Sequence, residues 1–517
     1  MQLDLFGGVQ RGNVRLDELF AAYLECRRNK RRTTNALAFE VDFEQKLIEL
    51  WKDVNDGTYM PGRSIAFIVT EPVQREVFAA DFRDRIIHHL IIGKLNHLFE
   101  ASFIQDSYSC RDGKGTQYGI GRVAGFIREC SRNYTKDCYI LKMDIQSFFM
   151  SIDKGLLYKY LREFILARYH EPDQLLILEL VEKVVFNDPE QNCHIKGRRS
   201  DWDGLPPSKS LFTSGKGKGL PIGNLTSQIF ANFYLNFFDH YVKYDLGIEY
   251  YGRYVDDFVI VHEDKDFLID VQAKLRSFLQ AKLMLRLHPR KIYLQHFSKG
   301  VKFIGAVVKP GREYIGNRTK GNLYAKIHYY NKEAEKNPRK AKKLLPDLLA
   351  SVNSYLGFMI HYKTYKIRRR LLEKELSPLW RRFVTFDESM RKLTLKEKYK
   401  PAVAKRNKIR NRRRRLGGDA CRRGLTCFFA VAARAGKADF DFAIVEQSQF
   451  DGMVEPPAFA DFQQVYVVRG NVRLFGNGFQ VETQAASGSL QRTSERMLGV
   501  FHNVRFGQSA AVHDGDS

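Results

Sequence analysis

The stretch that decides the fold is YGRYVDDFVIV, residues 251–261. Two adjacent carboxylates, Asp256 and Asp257, stand between runs of β-forming residues, so the stretch predicts a hairpin with acidic side chains at its tip. An aspartate in a turn usually caps its own backbone, and the pair alone favours that structural role. A functional role therefore requires further acidic residues nearby.

A second β-rich run, YILKMDI at residues 139–145, ends at Asp144. If the two strands are neighbours in one sheet, Asp144, Asp256 and Asp257 converge. Hard divalent cations such as Mg²⁺ prefer oxygen ligands, and a pair of them can hold both the attacking and the leaving oxygens of a phosphoryl displacement. Three carboxylates repel one another in the absence of metal, which favours a metal site over a structural one.

Between the two acidic strands lies GLPIGNLTSQIFANFYL, residues 219–235. With this stretch in that position, the chain resembles a reverse transcriptase from about residue 60 to residue 360. The resemblance implies an α+β right-hand polymerase with fingers, a palm built on a small antiparallel sheet, and a helical thumb. It also implies RNA-directed DNA polymerase activity, with Asp144, Asp256 and Asp257 as catalytic ligands of two Mg²⁺ ions.

The resemblance assigns three further residues to the nucleotide site. Phe149 falls at the family's steric gate, where an aromatic ring excludes a ribose 2′-OH. Arg75, in PVQREVFAADFRDRIIHH, matches the arginine that binds the incoming triphosphate, a task suited to a planar and permanently charged group. Lys291, in RLHPRKI, matches the lysine that protonates the leaving pyrophosphate. Without the other motifs, a surface salt bridge and an ordinary exposed lysine would explain Arg75 and Lys291.

The motif between the two acidic strands, called the middle motif below, indicates which members of the family the chain resembles most. It reads IGNLTSQ, with Ile222 where most members of the family carry Gln, followed by Gly223, and with Gln228 where they carry Pro. Together with FIQDSYSCRDGKGT and PPSKSL, it resembles the reverse transcriptases of diversity-generating retroelements, which copy a template-repeat RNA, misread its adenines and supply mutated cDNA to a target gene. Ile222, Gly223 and Gln228 are expected to contact the nucleotide. The alkyl side chain of Ile222 cannot form the hydrogen bond to the nucleotide that a glutamine amide would form, which predicts weaker discrimination between correct and incorrect bases.

Most of the positive charge lies in one segment. The net charge is +25, and residues 320–415 hold 29 basic and 8 acidic residues. Such a field attracts a polyanion, although a solvated basic face or a localisation signal is the alternative. The resemblance places this segment in the thumb, which binds the template–cDNA duplex. The residues expected to contact it are Lys366, Arg368, Arg369, Arg412, Arg413, Arg414 and Arg415. Template RNA, deoxynucleoside triphosphates and a small basic accessory protein are the expected partners.

The predicted organisation has five parts. They are an N-terminal helical segment (1–59), fingers (60–135), a palm with the catalytic site and a fingers insertion (136–315), a basic helical thumb (316–415), and a compositionally distinct tail, β-like or disordered (416–517).

Cysteine usage and hydropathy exclude several classes. Seven scattered cysteines without zinc-ligand spacing argue against a disulfide scaffold and a zinc finger. No run is long enough to span a bilayer and no basic leader precedes an apolar segment, so we expect a cytoplasmic protein without a membrane partner.

Two alternatives remain open. A group II intron-type or retron reverse transcriptase would share the carboxylates, although an intron-encoded protein usually adds a maturation domain and often a zinc-bearing endonuclease, and the tail holds only Cys421 and Cys427. A non-catalytic RNA-binding protein on a decayed polymerase fold would keep the basic segment and lose carboxylates, yet all three are present.

Overall fold

The structure is a computed structural model that describes residues 12–28, 33–70, 73–338 and 341–399, and the backbone of residues 471–475 and 478–482. The chain divides into two units, residues 1–400 and residues 401–517. The described part of the first unit holds every predicted site residue except Arg412, Arg413, Arg414 and Arg415.

Helices open the first unit: α1 (Leu16–Arg28), α2 (Thr34–Glu40) and α3 (Phe43–Asn55). Leu19, Tyr23 and Cys26 share one face of α1 and are buried, as the spacing of an amphipathic helix requires. Helix α1 packs against α4 (Phe82–Ser102). Helix α4 begins where it does because the Asp81 carboxylate accepts a hydrogen bond from the first-turn backbone N–H of Arg83.

A small sheet follows, in the order β2 (Arg75–Ala79), β1 (Ser64–Val69) and β4 (Cys193–Ile195). Strand β1 is antiparallel to β2 and parallel to β4. Side chains alternate along β2, so Glu76 is buried and Arg75 is exposed. The Glu76 carboxylate accepts hydrogen bonds from the Trp202 indole and the Ser210 hydroxyl, which fixes the segment after β4 against β2.

The central sheet carries the acidic strands. Its antiparallel order is β5 (Tyr251–Tyr254), β6 (Asp257–His262), β3 (Tyr139–Asp144) and β7 (Tyr293–His296). Leu141 and Met143 on β3 face one hydrophobic core, and Ile140 faces a second core on the other side of the sheet. Because both faces of the sheet are buried, its strands read as nearly continuous apolar runs.

Helices and a second small sheet cover the central sheet. The first core holds α7 (Lys154–Arg168), α8 (Gln174–Val185), α9 (Leu225–His240) and α10 (Lys265–Leu283). The second core holds α5 (Thr116–Cys130) and the sheet of β8 (Val301–Phe303), β9 (Ala306–Lys309) and β10 (Arg312–Ile315). The short helix α6 (Phe148–Ser151) follows β3 directly.

The basic segment is helical, with two strands at its end. Its elements are α11 (Asn317–Lys336), α12 (Ala341–Met359), α13 (Tyr365–Arg370), α14 (Pro378–Arg381), β11 (Val384–Phe386) and β12 (Leu393–Leu395). Leu348, Val352 and Leu356 are buried at helical spacing on α12. This mixture of helices and small antiparallel sheets confirms the predicted α+β class.

In the second unit, the described backbone is a hairpin of β13 (Asn471–Phe475) and β14 (Gly478–Glu482). This hairpin lies within the tail (416–517), which the sequence predicts to be β-like or disordered, and the remainder of the tail lies outside the described residues. None of the helices in the described ranges is long and apolar enough to cross a membrane.

Candidate active site

Three carboxylates meet at one end of the central sheet. Asp144 is the last residue of β3 and Asp257 the first of β6, and the strand register places them opposite each other. Asp256 lies in the two-residue turn between β5 and β6, and its carbonyl oxygen accepts a hydrogen bond from the Ile145 N–H at 3.2 Å. The antiparallel pairing therefore brings together residues that are more than a hundred positions apart in the sequence.

The turn that carries Asp256 is strained. Its first residue, Val255, has φ +55°, in the left-handed region. Two-residue hairpin turns need a positive φ here, and glycine or asparagine normally supplies it. A β-branched residue in this conformation is unusual and persists only where its surroundings hold it in place.

Lysine side chains neutralise two of the three carboxylates. The Lys291 Nζ lies 2.9 and 2.8 Å from the two carboxylate oxygens of Asp144. The Lys142 Nζ lies 2.9 Å from an oxygen of Asp257. Lys291, predicted from the resemblance alone, thus lies at the end of the sheet where the three carboxylates meet.

The negative charge of the remaining carboxylate, Asp256, is the least compensated by nearby lysines. Burial, and next the negative charge of Asp144, raise its pKa to about 6. Burial also raises the pKa of Asp257, and Lys142 opposes that rise. These shifts have the cause expected of acidic groups crowded into a poorly solvated site, namely the cost of ionising them there.

The donor chemistry of this site suits magnesium, because all three side chains offer carboxylate oxygens. Among the described residues, however, no group of three or more His, Cys, Asp or Glu side chains is arranged to hold one metal ion. Lysine ammonium groups stand beside Asp144 and Asp257, where a cation would be bound. A metal ion held by these carboxylates would take the place of those lysine partners.

The exposed Arg75 stands close to the catalytic hairpin. Burial raises the pKa of Tyr254, the last residue of β5, and the positive charge of Arg75 lowers it in turn. The predicted triphosphate-binding cation therefore lies near the end of β5, the strand that precedes the turn of Asp256.

Phe149 and Ile222 pack against the same small hydrophobic cluster, which contains Phe78 of β2. The Phe149 and Phe148 rings meet edge to face, with their centroids 5.4 Å apart. The carbonyl oxygen of Phe149 accepts a hydrogen bond from the Leu220 N–H at 2.8 Å. The predicted steric-gate residue and the unusual middle-motif residue thus border the same hydrophobic cluster.

The middle motif is fastened to β2. The Phe78 N–H donates to the Ile222 carbonyl oxygen at 2.9 Å, and the Ala80 N–H donates to the Asn224 side chain at 3.1 Å. Gly223 between them has φ +122°, and an added Cβ would lie 2.8 Å from Val77 Cγ1. Only glycine fits this close approach. The IGN motif therefore holds the Arg75 strand in a fixed position beside helix α9.

Gln228 lies on the first turn of α9, near the catalytic hairpin. Its side-chain oxygen accepts a hydrogen bond from the exposed Cys110 thiol at 3.0 Å. Cys110 lies close enough to Tyr254 to contribute to the raised pKa of its hydroxyl, which places this pair near the end of β5.

The predicted thumb cations have different surroundings. Lys366 is exposed, and Arg369 is exposed and paired with Glu373 one turn further on. Arg368 is buried and donates to the carbonyl oxygens of Ser389 and Met390. The prediction that Arg368 contacts nucleic acid is therefore wrong: its guanidinium joins α13 to the loop before β12.

The second group of predicted thumb cations falls beyond α14 and the strands that follow it. The predicted contact of these four arginines with the duplex stays a prediction, because the described part of the chain does not include Arg412, Arg413, Arg414 and Arg415.

Sequence reasoning missed a buried polar network behind the catalytic turn, centred on Arg253. Its guanidinium forms two parallel bonds with Asp239 of α9, at 2.7 and 2.6 Å, and neither side chain has any solvent exposure. It also donates to the Val255 carbonyl oxygen at 2.9 Å. Arg253 thus holds the strained residue that immediately precedes Asp256.

Further hydrogen bonds complete this Arg253 network. The Tyr251 hydroxyl donates to Asp239 at 2.5 Å, and the Asn232 side chain accepts from Arg253 at 3.3 Å. The sequence did carry a signal, because Arg253 is charged and occupies an inward position of a strand whose other residues are mostly β-formers. Its partner, however, lies on a helix whose pattern indicates only hydrophobic core.

Known proteins are similar to this chain over the range that contains the site. The family model described as reverse transcriptase (RNA-dependent DNA polymerase) matches residues 75–308, somewhat less than half of the chain. Protein YkfC of Escherichia coli strain K12 is 23% identical over 279 residues, which cover 48% of this chain and 66% of YkfC.

Solved telomerase structures are also similar to this chain. Telomerase from Candida albicans, in complex with a fragment of telomeric RNA, is 12% identical, with a TM-score of 0.36, over 60% of this chain and 57% of that one. Apo telomerase from Candida tropicalis is 11% identical, with a TM-score of 0.37, over 60% of this chain and 61% of that one. The chain thus spans less than two thirds of the length of each of these proteins.

The matched range contains Asp144, Asp256, Asp257, Lys291 and every residue predicted to contact the nucleotide. The match supports RNA-directed DNA polymerase activity, a nucleotidyltransferase reaction, for this part of the chain, and it supports the predicted right-hand polymerase fold. Residues 75–308 are therefore similar to a reverse transcriptase domain.

Proposed function

We propose that the whole protein is an RNA-directed DNA polymerase that extends a primer along an RNA template. The observation that carries this proposal is the meeting of Asp144, Asp256 and Asp257 at one end of the central sheet, where burial raises the pKa of two of them. Crowded carboxylates of this kind cost the fold stability, and a polymerase needs them.

Each residue has a part in the proposed reaction. The three aspartates would hold two Mg²⁺ ions, which when bound promote attack by the primer hydroxyl and stabilise the leaving pyrophosphate. Arg75 would bind the triphosphate, and Lys291 would give a proton to the pyrophosphate. The Phe149 ring would exclude a 2′-OH and so favour deoxynucleotides.

Primer extension on an RNA template with Mg²⁺ tests this proposal. Asp256→Ala should reduce the rate by at least about 10²-fold, the scale on which removal of one electrostatic stabiliser acts. Asp270→Ala is the matched control, because Asp270 is an exposed aspartate on α10. Equal extension by the wild type and Asp256→Ala would contradict the role assigned to Asp256, and RNA binding without extension by the wild type would leave only a non-catalytic RNA-binding protein.

Within this activity, we propose that the enzyme is of the diversity-generating retroelement type and copies a template-repeat RNA with errors at adenine. The IGNLTSQ motif supports this subtype, and the apolar packing of Ile222 beside Phe149 offers the nucleotide no side-chain hydrogen bond from that position. A template RNA with its cDNA and a small basic accessory protein are the proposed partners.

Fidelity measurements test the subtype. Ile222→Gln should lower misincorporation opposite template adenine several-fold, since one added polar contact contributes on the order of 1 kcal/mol. The substitution leaves the backbone bond between Ile222 and Phe78 in place, and Ile222→Leu serves as the apolar control. An unchanged error rate at adenine in Ile222→Gln would remove this explanation, and a wild type without excess errors at adenine would favour an intron-type or retron enzyme.

A further inference from the structure

A cavity of about 410 Å³ lies on the side of the sheet that faces the second core. Three separate segments line it: α5 with the loop that follows it, the β9–β10 hairpin, and the residues that follow α12. Its volume falls in the range of ligand sites rather than packing defects. We call it the cationic cavity because of the permanent cations around it, which are Arg128, Lys309, Arg312 and Lys363.

In the described part of the chain these cations have no acidic partner, and the Arg312 guanidinium donates to the Tyr314 hydroxyl at 3.2 Å. All four side chains are exposed, and none of them forms an ion pair with another residue of the described ranges. Glu313 is the single acidic residue in the lining. By contrast, Lys142 and Lys291 at the catalytic end are each paired with an aspartate. Unpaired cations that converge on one cavity from three segments form a site for an anion with several charges.

The floor of the cavity is made of small residues. Gly121, Ala124 and Gly125 of α5 and Gly311 of the β9–β10 turn line it. A Cβ added at Gly121 or at Gly311 would meet no atom within 4 Å, so the space above these residues is open. A phosphate-bearing backbone can therefore approach the protein main chain closely between the cations.

The cationic cavity is separate from the catalytic carboxylates. Tyr134, which lines it, precedes β3, and its ring stacks at 6.3 Å on Phe297, which follows β7. Asp144 lies at the opposite end of β3, and a strand of that length spans roughly 20 Å. The phosphates of an incoming nucleotide at the catalytic end would not reach it.

We propose that the cationic cavity binds phosphate groups of an RNA strand at a distance from the site of polymerisation. The proposal rests on the proposed function, because the template RNA is the strand that this protein would hold. The lining offers cations and open backbone but few groups that could read base edges, so binding there would recognise shape and charge without sequence.

The test compares two triple variants of the full chain. One carries Arg128→Gln, Arg312→Gln and Lys363→Gln, with one substitution from each segment of the cavity. The matched control carries Lys265→Gln, Lys274→Gln and Arg276→Gln, which remove the same charge from exposed positions on α10. Binding of an RNA hairpin without a primer is measured by fluorescence anisotropy over a series of salt concentrations.

The cavity variant should flatten the slope of log affinity against log salt by about 2, because each of the three phosphate contacts adds roughly 0.7 to that slope. The α10 control should keep the wild-type slope. Gly121→Leu fills the cavity without changing the charge and should also weaken the binding of the hairpin. Equal slopes in the two triple variants, or an unchanged affinity in Gly121→Leu, would overturn the proposal.

Two further measurements are needed. The first distinguishes RNA from a free polyphosphate as the ligand of the cavity, and the second distinguishes failure of this proposal from failure of the proposed polymerase function. If tripolyphosphate binds the wild type tightly and the cavity variant no longer binds it, while RNA affinity is unchanged, the assignment to RNA would be overturned. Extension of a short primer–template duplex should be the same in Gly121→Leu as in the wild type, because Gly121 lies on α5, outside the thumb segment and the predicted site residues. If the wild type fails to extend it, the proposed function fails, and the salt slopes still decide whether the cavity binds RNA.

Discussion

Two groups of carboxylates and cations lie close to the turn that carries Asp256, and they differ in burial and in the number of bonds that join them. In the Arg253 network, Arg253 and Asp239 are both 0% exposed and joined by two bonds. At the catalytic end, the Lys291 and Asp144 side chains are 55% and 13% exposed. The first group is fixed and the second can exchange its cation, although both pair a carboxylate with a cation.

The comparison shows how a fold combines a rigid support with an adaptable site. A buried, fully bonded ion pair is costly to break, because the remaining partner keeps an uncompensated charge in a medium of low polarity. A partly exposed pair costs little to break. The Arg253 network can therefore hold the turn of Asp256 while the carboxylates themselves change partners.

Substitution of Arg253 has the largest expected effect. Arg253→Lys keeps the charge but loses the paired bonds to Asp239 and the bond to the Val255 carbonyl oxygen. We expect a loss of about 3 kcal/mol in the free energy of unfolding. We also expect a fall in kcat of about 10²-fold, since a shift of about 1 Å at a reacting centre has that effect. Chemical denaturation and steady-state extension measure both.

Tyr251→Phe is the matched control for this prediction. It removes one hydrogen bond to Asp239 and leaves the Val255 contact in place, so about 1 kcal/mol should be lost and kcat should change by no more than about twofold. The KM for the deoxynucleotide should stay unchanged in both variants. If kcat falls in proportion to stability in both, Arg253 has a structural role alone and no role in positioning Asp256.

Glycine at position 255 sharpens the comparison further. A Cβ in the left-handed region costs about 1–2 kcal/mol, and Val255→Gly removes that strain. If Arg253 acts by holding the strained turn, Arg253→Lys should reduce kcat about tenfold in the Val255→Gly protein, less than in the wild type. Equal effects in the two backgrounds, measured as a double-mutant cycle, would show that the turn does not transmit the effect.

The sequence predicted the adaptable group and missed the rigid one, for a physical reason. Asp144, Asp256 and Asp257 stand in short motifs whose order is itself informative. The role of Arg253 depends on Asp239, and the distance between two such residues is settled only when the strand and the helix pack together. Lys142 was missed likewise, because its pairing with Asp257 follows from the strand register.

The same distinction explains which thumb prediction was wrong. Charge in a sequence indicates a basic surface, but it does not show which cations the fold turns inward. Arg368 and Arg369 are adjacent on α13, and a helix places adjacent residues about 100° apart. Arg368 therefore faces the core while Arg369 faces solvent.

Asp256→Asn should raise the free energy of unfolding, whereas Arg253→Lys should lower it. A pKa raised from 3.8 to about 6 means that the folded state holds this proton more tightly than the unfolded chain does. The stability it contributes is complete below about pH 4 and is lost as pH rises to about 6. With EDTA at pH 7, Asp256→Asn should therefore be more stable than the wild type by up to about 3 kcal/mol, although inactive.

The pH dependence of unfolding checks whether the raised pKa of Asp256 causes this difference in stability. The two proteins should be equally stable below about pH 4 and should diverge between about pH 4 and 6. Asp239→Asn provides the comparison, because it removes the charge that compensates Arg253 and should destabilise the protein at pH 7. An Asp256→Asn protein that is less stable than the wild type at pH 7 would mean that this carboxylate supports the fold.

Lys142→Met should have the smallest effect on stability. It tests whether Lys142 occupies the place beside Asp257 that a metal ion would take. The pair with Asp257 is partly exposed, with 23% and 25% of the side chains accessible, so its loss should cost no more than about 1 kcal/mol without divalent cation. The rise in Tm caused by added MgCl₂ should be larger than in the wild type, because no ammonium group competes for Asp257. Lys274→Met on α10 should behave as the wild type does. A smaller rise in Lys142→Met would show that the lysine helps to build the metal site, and the contrast between a fixed pair and an exchangeable one would then fail at this carboxylate.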